Sequence, residues 1–151
     1  MAEQKYVVFR LEQEFYGIGI ERVERILADQ TITKVPRAPK LLLGIFDMRG
    51  ETVPAVDLRK RFEMKDFDGA ANFVVVSTEA GRCALRVDAV DGIIVTEDTA
   101  VETPGALLDS ANDPVVAGIV RHQERIVVLL NPDEVVHAEL QKAVAKHQKA
   151  A

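Results

Sequence analysis

The sequence predicts a mainly β protein made of two similar units that share one apolar core. Residues 16–26, YGIGIERVERI, reappear as residues 83–93, CALRVDAVDGI, with every apolar position held at an offset of 67. The repeat extends backward, where Tyr6, Val7 and Val8 fall on Phe73, Val74 and Val75, and it resumes as Gly44-Ile45-Phe46 against Gly118-Ile119-Val120. In that later stretch each glycine precedes by 13 residues a polar turn former that closes an apolar run: Asp57 after Val53 to Val56, and Asn131 after Val127 to Leu130. A unit of about 65 residues lies near the lower limit for an independent core, so the two are expected to fuse along a common apolar interface, leaving a groove between them.

Tyr6 to Leu11 alternates, with Val7, Phe9 and Leu11 on one face, and Phe15 to Ile20 sets Ile18 and Ile20 together. Glu12-Gln13-Glu14 between them reads as a turn, so the chain opens on a β-hairpin. Val23, Ile26 and Leu27 stand at i, i+3 and i+4, which predicts a short helix. Their twins lie in a β-branched stretch, Val87, Val90, Ile93 and Ile94 around Gly92, which favours an extended path, so the units are expected to differ here. Val35-Pro36-Arg37-Ala38-Pro39 reads as an exposed connector, because each proline lacks an amide hydrogen and biases its predecessor to extended geometry. Leu43 to Met48 and Thr52 to Val56 read as paired strands around an Arg49-Gly50 turn, the glycine reaching positive φ without strain. Pro54 is expected at a sheet edge or a bulge. Asp57 is suited to cap a one-turn helix through Phe62, and Lys65 to Ala71 is a polar link.

The second unit draws its strands from Phe73 to Ser77, Cys83 to Val95, Val115 to Arg121 and Arg125 to Leu130, with an irregular loop from Pro104 to Pro114. A C-terminal helix follows. Asn131 is its N-cap, Pro132 its first residue, Asp133 and Glu134 suit its positive end, and Lys142, Lys146 and Lys149 its negative end. Val136, Leu140 and Val144 form an apolar stripe expected to dock on the protein itself.

At 151 residues, with 48% hydrophobic and 28% charged residues, the composition is that of one globular domain. The polar start, Met1 to Lys5, has no apolar run of signal-peptide or membrane-span length, and a single cysteine, Cys83, fits a reducing compartment; a cytoplasmic location is expected. Residues 34–62 carry seven Lys/Arg against three Asp/Glu, whereas residues 63–113 carry eleven Asp/Glu against three Lys/Arg. Such asymmetry suits orientation on a protein partner, while a net charge of −5, two tyrosines and no tryptophan argue against nucleic acid.

Candidate chemistry is sparse. His122, His137 and His147 match no metal-ligand spacing, and neither Ser77 nor Ser110 lies in a G-x-S-x-G elbow. Gly17-Ile18-Gly19 begins like a dinucleotide loop, but Arg22 stands at the third glycine position. Cys83 falls on a strand at the position of Tyr16 and reads as a buried apolar residue. Asp88 and Asp91 correspond to Glu21 and Glu24 and read as solvent-facing, so no acid/base pair, metal or cofactor is expected.

Three spaced motifs run in order from Phe9 to Arg59: F-x-L-x(4)-Y-G-I-x-I-x-x-V, then I-T-x-V-P-x-A-P, then G-x(4)-R-G-x(3)-P-x-x-D-L-R. Together with Arg86-Val87-Asp88-Ala89-Val90 and the Gly118 to Leu130 strands, they resemble the chemotaxis coupling protein family, CheW-like. The resemblance covers residues 4–140 as one domain, leaving 141–151 as a helix end and tail. It implies two five-stranded, SH3-like β-barrels sharing a hydrophobic core, no catalytic activity and no cofactor. It further implies an adaptor that tethers a chemotaxis histidine kinase, through the kinase's regulatory domain, to the cytoplasmic tips of methyl-accepting chemoreceptors. The second barrel would pair with the kinase, the first would make a further kinase contact in arrays, and the receptor hairpin would lie in the groove. The chain would be cytoplasmic, recruited to membrane-associated arrays without inserting in the bilayer, and monomeric when free. With no kinase, receiver or phosphotransfer region within 151 residues, a stand-alone coupling protein is expected.

Carried over by motif, the receptor-side residues are Ile20, Val23, Gly44 and Arg49; the kinase-side residues are not fixed beyond the second-barrel strands. A guanidinium on a tight hairpin can grip a carboxylate bidentately, as lysine cannot. Two positions depart from the family pattern. Asp47 replaces an asparagine before the hairpin turn, which would pre-orient or weaken Arg49, and Arg25 replaces a glutamate ahead of Ile26. The charge reversal at Arg25 leaves open an adaptor of a non-flagellar chemosensory pathway, such as surface motility. The alternative of another class is a small ligand-binding β-barrel or enzyme using the groove, with Cys83 as its best nucleophile.

Overall fold

The computed structural model describes residues 2–66, 68–103 and 114–135. Ten strands form two five-stranded sheets: β1 (Glu3–Leu11), β2 (Glu14–Gly19), β3 (Val23–Ala28), β4 (Leu42–Met48), β5 (Glu51–Asp57), β6 (Asn72–Thr78), β7 (Gly81–Val87), β8 (Ala89–Glu97), β9 (Val116–His122) and β10 (Arg125–Leu130). The helical pieces are short: a 3-10 turn at Ile20–Arg22, α1 at Leu58–Arg61, a 3-10 turn at Asp98–Ala100 and α2 at Pro132–Val135. The expected continuation of the C-terminal helix beyond Val135, with its stripe and lysines, and His137 and His147 lie outside the described residues, as do residues 104–113 of the expected irregular loop.

The two sheets do not follow the two repeats. Barrel I has the order β3-β6-β7-β5-β4 and barrel II the order β8-β1-β2-β10-β9, so each repeat lends its opening hairpin to the other's barrel. The expectation that the second unit supplies its own strands is corrected accordingly. Under the repeat the two orders are identical, and each contains one parallel pair at the same place, β5 with β7 and β10 with β2. Each sheet is drawn into an SH3-like barrel by a bridge from beyond its edge strand, Thr33 to Ile45 and Glu102 to Ile119.

This exchange explains why the core is shared. Phe46, Val53, Phe73 and Val75 fill barrel I, and Val8, Val120, Val127 and Leu129 fill barrel II. The largest cluster lies between them, where Phe9, Leu11 and Ile18 of one sheet meet Val56, Val74, Val76, Cys83, Leu85 and Val87 of the other, with Leu58 of α1 among them. Tyr16 stacks between Phe9 and Phe62, at 6.1 and 5.7 Å between ring centroids, and so links the two. Strands that pass one apolar face inward and the other onto the partner barrel have no wet face, which is why so many of their residues are apolar in succession.

Three local readings change. Val23 to Leu27 is not a helix but edge strand β3, paired with β6. A bulge between Val23 and Arg25 adds one residue, so Val23 and Ile26 share the face opposite Val76 and Val74 at a spacing of three, mimicking helical periodicity. The two units are therefore alike here. The Cys83 to Val95 run breaks at Asp88 into β7 and β8. Pro54 sits in an interior strand with no bulge at its position, but opposite Ile45, whose amide and carbonyl are both spent on Thr33, and just before pairing with β7 begins at Ala55. Its missing N–H is thus asked for nothing. Asp57 caps α1 as expected, accepting from the Arg59 amide at 3.0 Å.

Candidate docking surface

The chain crosses from barrel II to barrel I at the Ile20–Arg22 turn, which presents Ile20 to solvent. Arg22 anchors this crossing: it donates to the Ser77 carbonyl at 3.0 Å and pairs with Asp133 at the start of α2. Val23 then lies half-buried against the rim of the shared core, and Ile26, on the same face, is 43% exposed. The helical reading had grouped Ile26 with Val23 and Leu27; on the strand it stands at the surface.

Arg49 and Gly50 form the two-residue turn between β4 and β5, with φ of 52° and 87°. This is the left-handed pair that a tight hairpin requires, and a non-glycine residue held there is strained. Asp47 accepts from the Gly50 amide at 3.4 Å. It braces the turn backbone, and among the described residues no ion pair or hydrogen bond engages the Arg49 side chain. The strand directions bring Arg49 to the same end of barrel I as Val23, because β3 starts where β6 ends, β7 starts and β4 turns into β5. Across that end Arg82 joins Glu24 of β3, at 2.9 Å, to Glu51 of β5. Sequence reading missed Arg82; the signal was a cation at the repeat position of the apolar Phe15.

Gly44 stands apart from this cluster. It is buried in mid-strand at φ 151°, and a Cβ there would lie 2.2 Å from the Thr33 carbonyl oxygen. It offers little surface of its own, and glycine is needed for the bridge that closes the barrel, so any bearing it has on a partner would pass through that bridge. Ile20, Val23 and Arg49 remain as surface features.

Among the described residues, the two groups weighed most closely for catalysis are sealed or paired. Burial pushes the Cys83 thiol up to about 12, so it is a packed thiol rather than a thiolate nucleophile. Asp88 is not solvent-facing, as the repeat suggested, but paired with Arg59, whose Nε lies 2.7 Å from its Oδ1, and it accepts the Glu12 amide at 2.7 Å. Burial raises this carboxyl, yet the Arg59 and Glu12 hydrogen bonds outweigh it and hold the group below the ordinary carboxylate value. A cleft of about 300 Å³ beside the crossing turn is lined by Tyr6, Glu21, Arg22, Leu129, Asn131 and Asp133, with no histidine or cysteine among its described lining residues. Among the described residues no three His, Cys, Asp or Glu side chains are grouped to hold a metal ion. No described helix is long and apolar enough to cross a membrane.

The described residues thus form two barrels that share a core, with an arginine at the tip of the β4–β5 hairpin. Residues 5–140 match the model of the CheW-like domain. The chain belongs to the CheW-like family. It is 27% identical over 143 residues to the chemotaxis protein CheW of Treponema pallidum, covering 90% of this chain and 84% of that one. It is 21% identical over 147 residues to CheW of Bacillus subtilis, covering 96% and 94%. A shorter match, 34% over 56 residues, covers 37% of this chain and 35% of Protein FrzA of Myxococcus xanthus. The crystal structure of the scaffolding protein TtCheW from Thermoanaerobacter tengcongensis superposes with a TM-score of 0.83 at 27% identity, covering 91% of this chain and 94% of that one.

Proposed function

We propose that this CheW-like protein couples a chemotaxis histidine kinase to the cytoplasmic tips of transmembrane chemoreceptors, as a non-catalytic adaptor in signalling arrays. The observation that carries the reading is the Arg49 turn, with no partner for its side chain among the described residues, at the same barrel end as Val23. A receptor's helical hairpin seated there would bury Ile20, Val23 and Ile26 and offer a carboxylate or helix-end carbonyls to the guanidinium. The kinase's regulatory domain is assigned to barrel II, whose outer surface exposes Ile93, Val95 and Ile126 at 57%, 47% and 52%. Exposed apolar side chains of that size suit a protein interface.

The test is capture from cytoplasm followed by titration. Tagged protein should retain both a histidine kinase and chemoreceptors, and Arg49→Ala should lose the receptors while keeping the kinase and its melting temperature. Recovery of neither partner refutes the adaptor reading; melting of Arg49→Ala makes the residue structural. Arg25, a cation on β3 beside the candidate surface, favours a second reading, an adaptor of a non-flagellar chemosensory pathway. Disrupting the gene would then impair surface movement and leave swimming responses intact.

A further inference from the structure

We infer that Arg82 is a positioning residue for receptor docking: by clasping Glu24 and Glu51 it sets the Arg49 hairpin relative to Val23 and keeps both carboxylates away from Arg49. The inference rests on the receptor-facing reading of Arg49 given above. Arg82 lies near the start of β7, an interior strand of barrel I, and reaches outward to both sides. Its Nε lies 3.1 Å from each Glu24 carboxylate oxygen, a terminal nitrogen adds a contact at 2.9 Å, and the other terminal nitrogen pairs with Glu51.

Glu24 is the bulge residue next to Val23, and Glu51 is the first residue after the turn, opposite Met48. A planar guanidinium holding carboxylates on two separate strands fixes direction as well as distance, which an ammonium does not. The clasp also decides what Arg49 meets. Glu51 is two residues from Arg49, so a Glu51 released from Arg82 would be within reach of that guanidinium and would compete with an acidic receptor helix. With Glu24 and Glu51 engaged, Arg49 is left to the receptor.

The experiment titrates full-length protein against a purified chemoreceptor signalling-tip fragment, with the kinase's regulatory domain as the control ligand. Arg82→Ala should weaken receptor binding roughly three- to tenfold and leave kinase binding unchanged. In an Arg49→Ala background the same substitution should cause no further loss, because its effect passes through Arg49. Adding Glu51→Gln to Arg82→Ala should restore part of the affinity. Unchanged receptor binding in Arg82→Ala, or losses that multiply with those of Arg49→Ala, overturns the inference. If Arg82→Ala does not fold, the Glu24→Gln, Glu51→Gln double variant breaks the clasp with Arg82 in place, and wild-type receptor affinity there is equally fatal. Wild-type affinity in Arg49→Ala alone would instead sink the receptor reading itself.

Discussion

At the end of β5 the Asp57 amide donates to the Leu41 carbonyl at 2.9 Å, and at the end of β10 the Asn131 amide donates to the Val115 carbonyl at 2.8 Å. Asp57 then caps α1 and Asn131 caps α2, at 3.0 and 3.1 Å to the amide two residues on. These are the same contacts repeated at an offset of 74, and the side chains laid over them differ. Arg59 of α1 binds Asp88, whereas the residue in its place on α2 is Asp133, which binds Arg22, one residue past Glu21, the equivalent of Asp88: an ion pair of opposite polarity is made from a neighbouring position. At the barrel ends, Arg82 with Glu24 and Glu51 corresponds to Phe15 with Asp91 and Arg125, where Arg125 pairs with Asp91 at 2.9 Å and lies 4.5 Å over the Phe15 ring. The backbone frame and the apolar interiors are common to both halves, and the charges laid over them are not.

If the frame is common but not equally tight, its two closing glycines should separate most. A Cβ on Gly44 meets the Thr33 carbonyl oxygen at 2.2 Å and Ile32 at 2.7 Å, from a positive φ; one on Gly118 meets a Val101 methyl at 2.8 Å and the equivalent Glu102 carbonyl oxygen only at 3.2 Å, with φ outside the left-handed region. The backbone must give by far more at Gly44 than at Gly118. Gly44→Ala is expected to lose about 3 kcal/mol or more and Gly118→Ala about 1 kcal/mol, read from denaturant midpoints. Equal losses would mean the two bridges are interchangeable.

The mirrored ion pairs come next. Arg59 and Asp88 are 8% and 11% exposed, against 29% and 16% for Arg22 and Asp133, so solvent screens the second pair more. Asp88→Asn should cost about 3 kcal/mol at neutral pH and Asp133→Asn about 1 kcal/mol. The Asp88 carboxyl is held below its unfolded value, so its contribution is complete above about pH 4 and is lost as pH falls through the lowered folded value. The stability gap between wild type and Asp88→Asn should therefore close in acid. A gap that stays constant below pH 4 would assign the loss to packing.

Much of this was legible in the sequence because the repeat is written in apolar residues, and apolar alternation marks strands and their faces. The hairpin of β4 and β5, the Asp57 cap and the extended path of β8 followed from local rules alone. What local rules could not reach was pairing at long range. Exchange of hairpins between repeats leaves every strand's own pattern unchanged, so nothing within a unit distinguishes a barrel built from one repeat from a barrel built from two. The β3 bulge converts period two into a spacing of three, which reads as helix. Asp88 looked solvent-facing because its equivalent Glu21 is exposed; only the fold brings Arg59 to one of them. Arg49 was singled out by motif, while Arg82, its neighbour through Glu51, carries no motif and comes to notice only through the coordinates.

The smallest expected effect contrasts the two hairpin tips. Arg49 and Gly50 have φ of 52° and 87°, and at the offset of 74 Gln123 and Glu124 have φ of 50° and 65°. Both turns demand left-handed geometry twice, but only the first has a glycine to meet it. Glu124→Gly should raise stability by roughly 0.5–1 kcal/mol, strain relief offset in part by the added freedom of the unfolded chain. Arg49→Gly should gain about as much and, unlike Glu124→Gly, abolish receptor capture. Matched gains with opposite binding outcomes would show that strain at Arg49 is tolerated for its side chain, whereas at Glu124 the receptor draws nothing from it. Loss of receptor capture in both variants would mean that the tips dock as a pair, and the division of labour between the barrels would have to be redrawn.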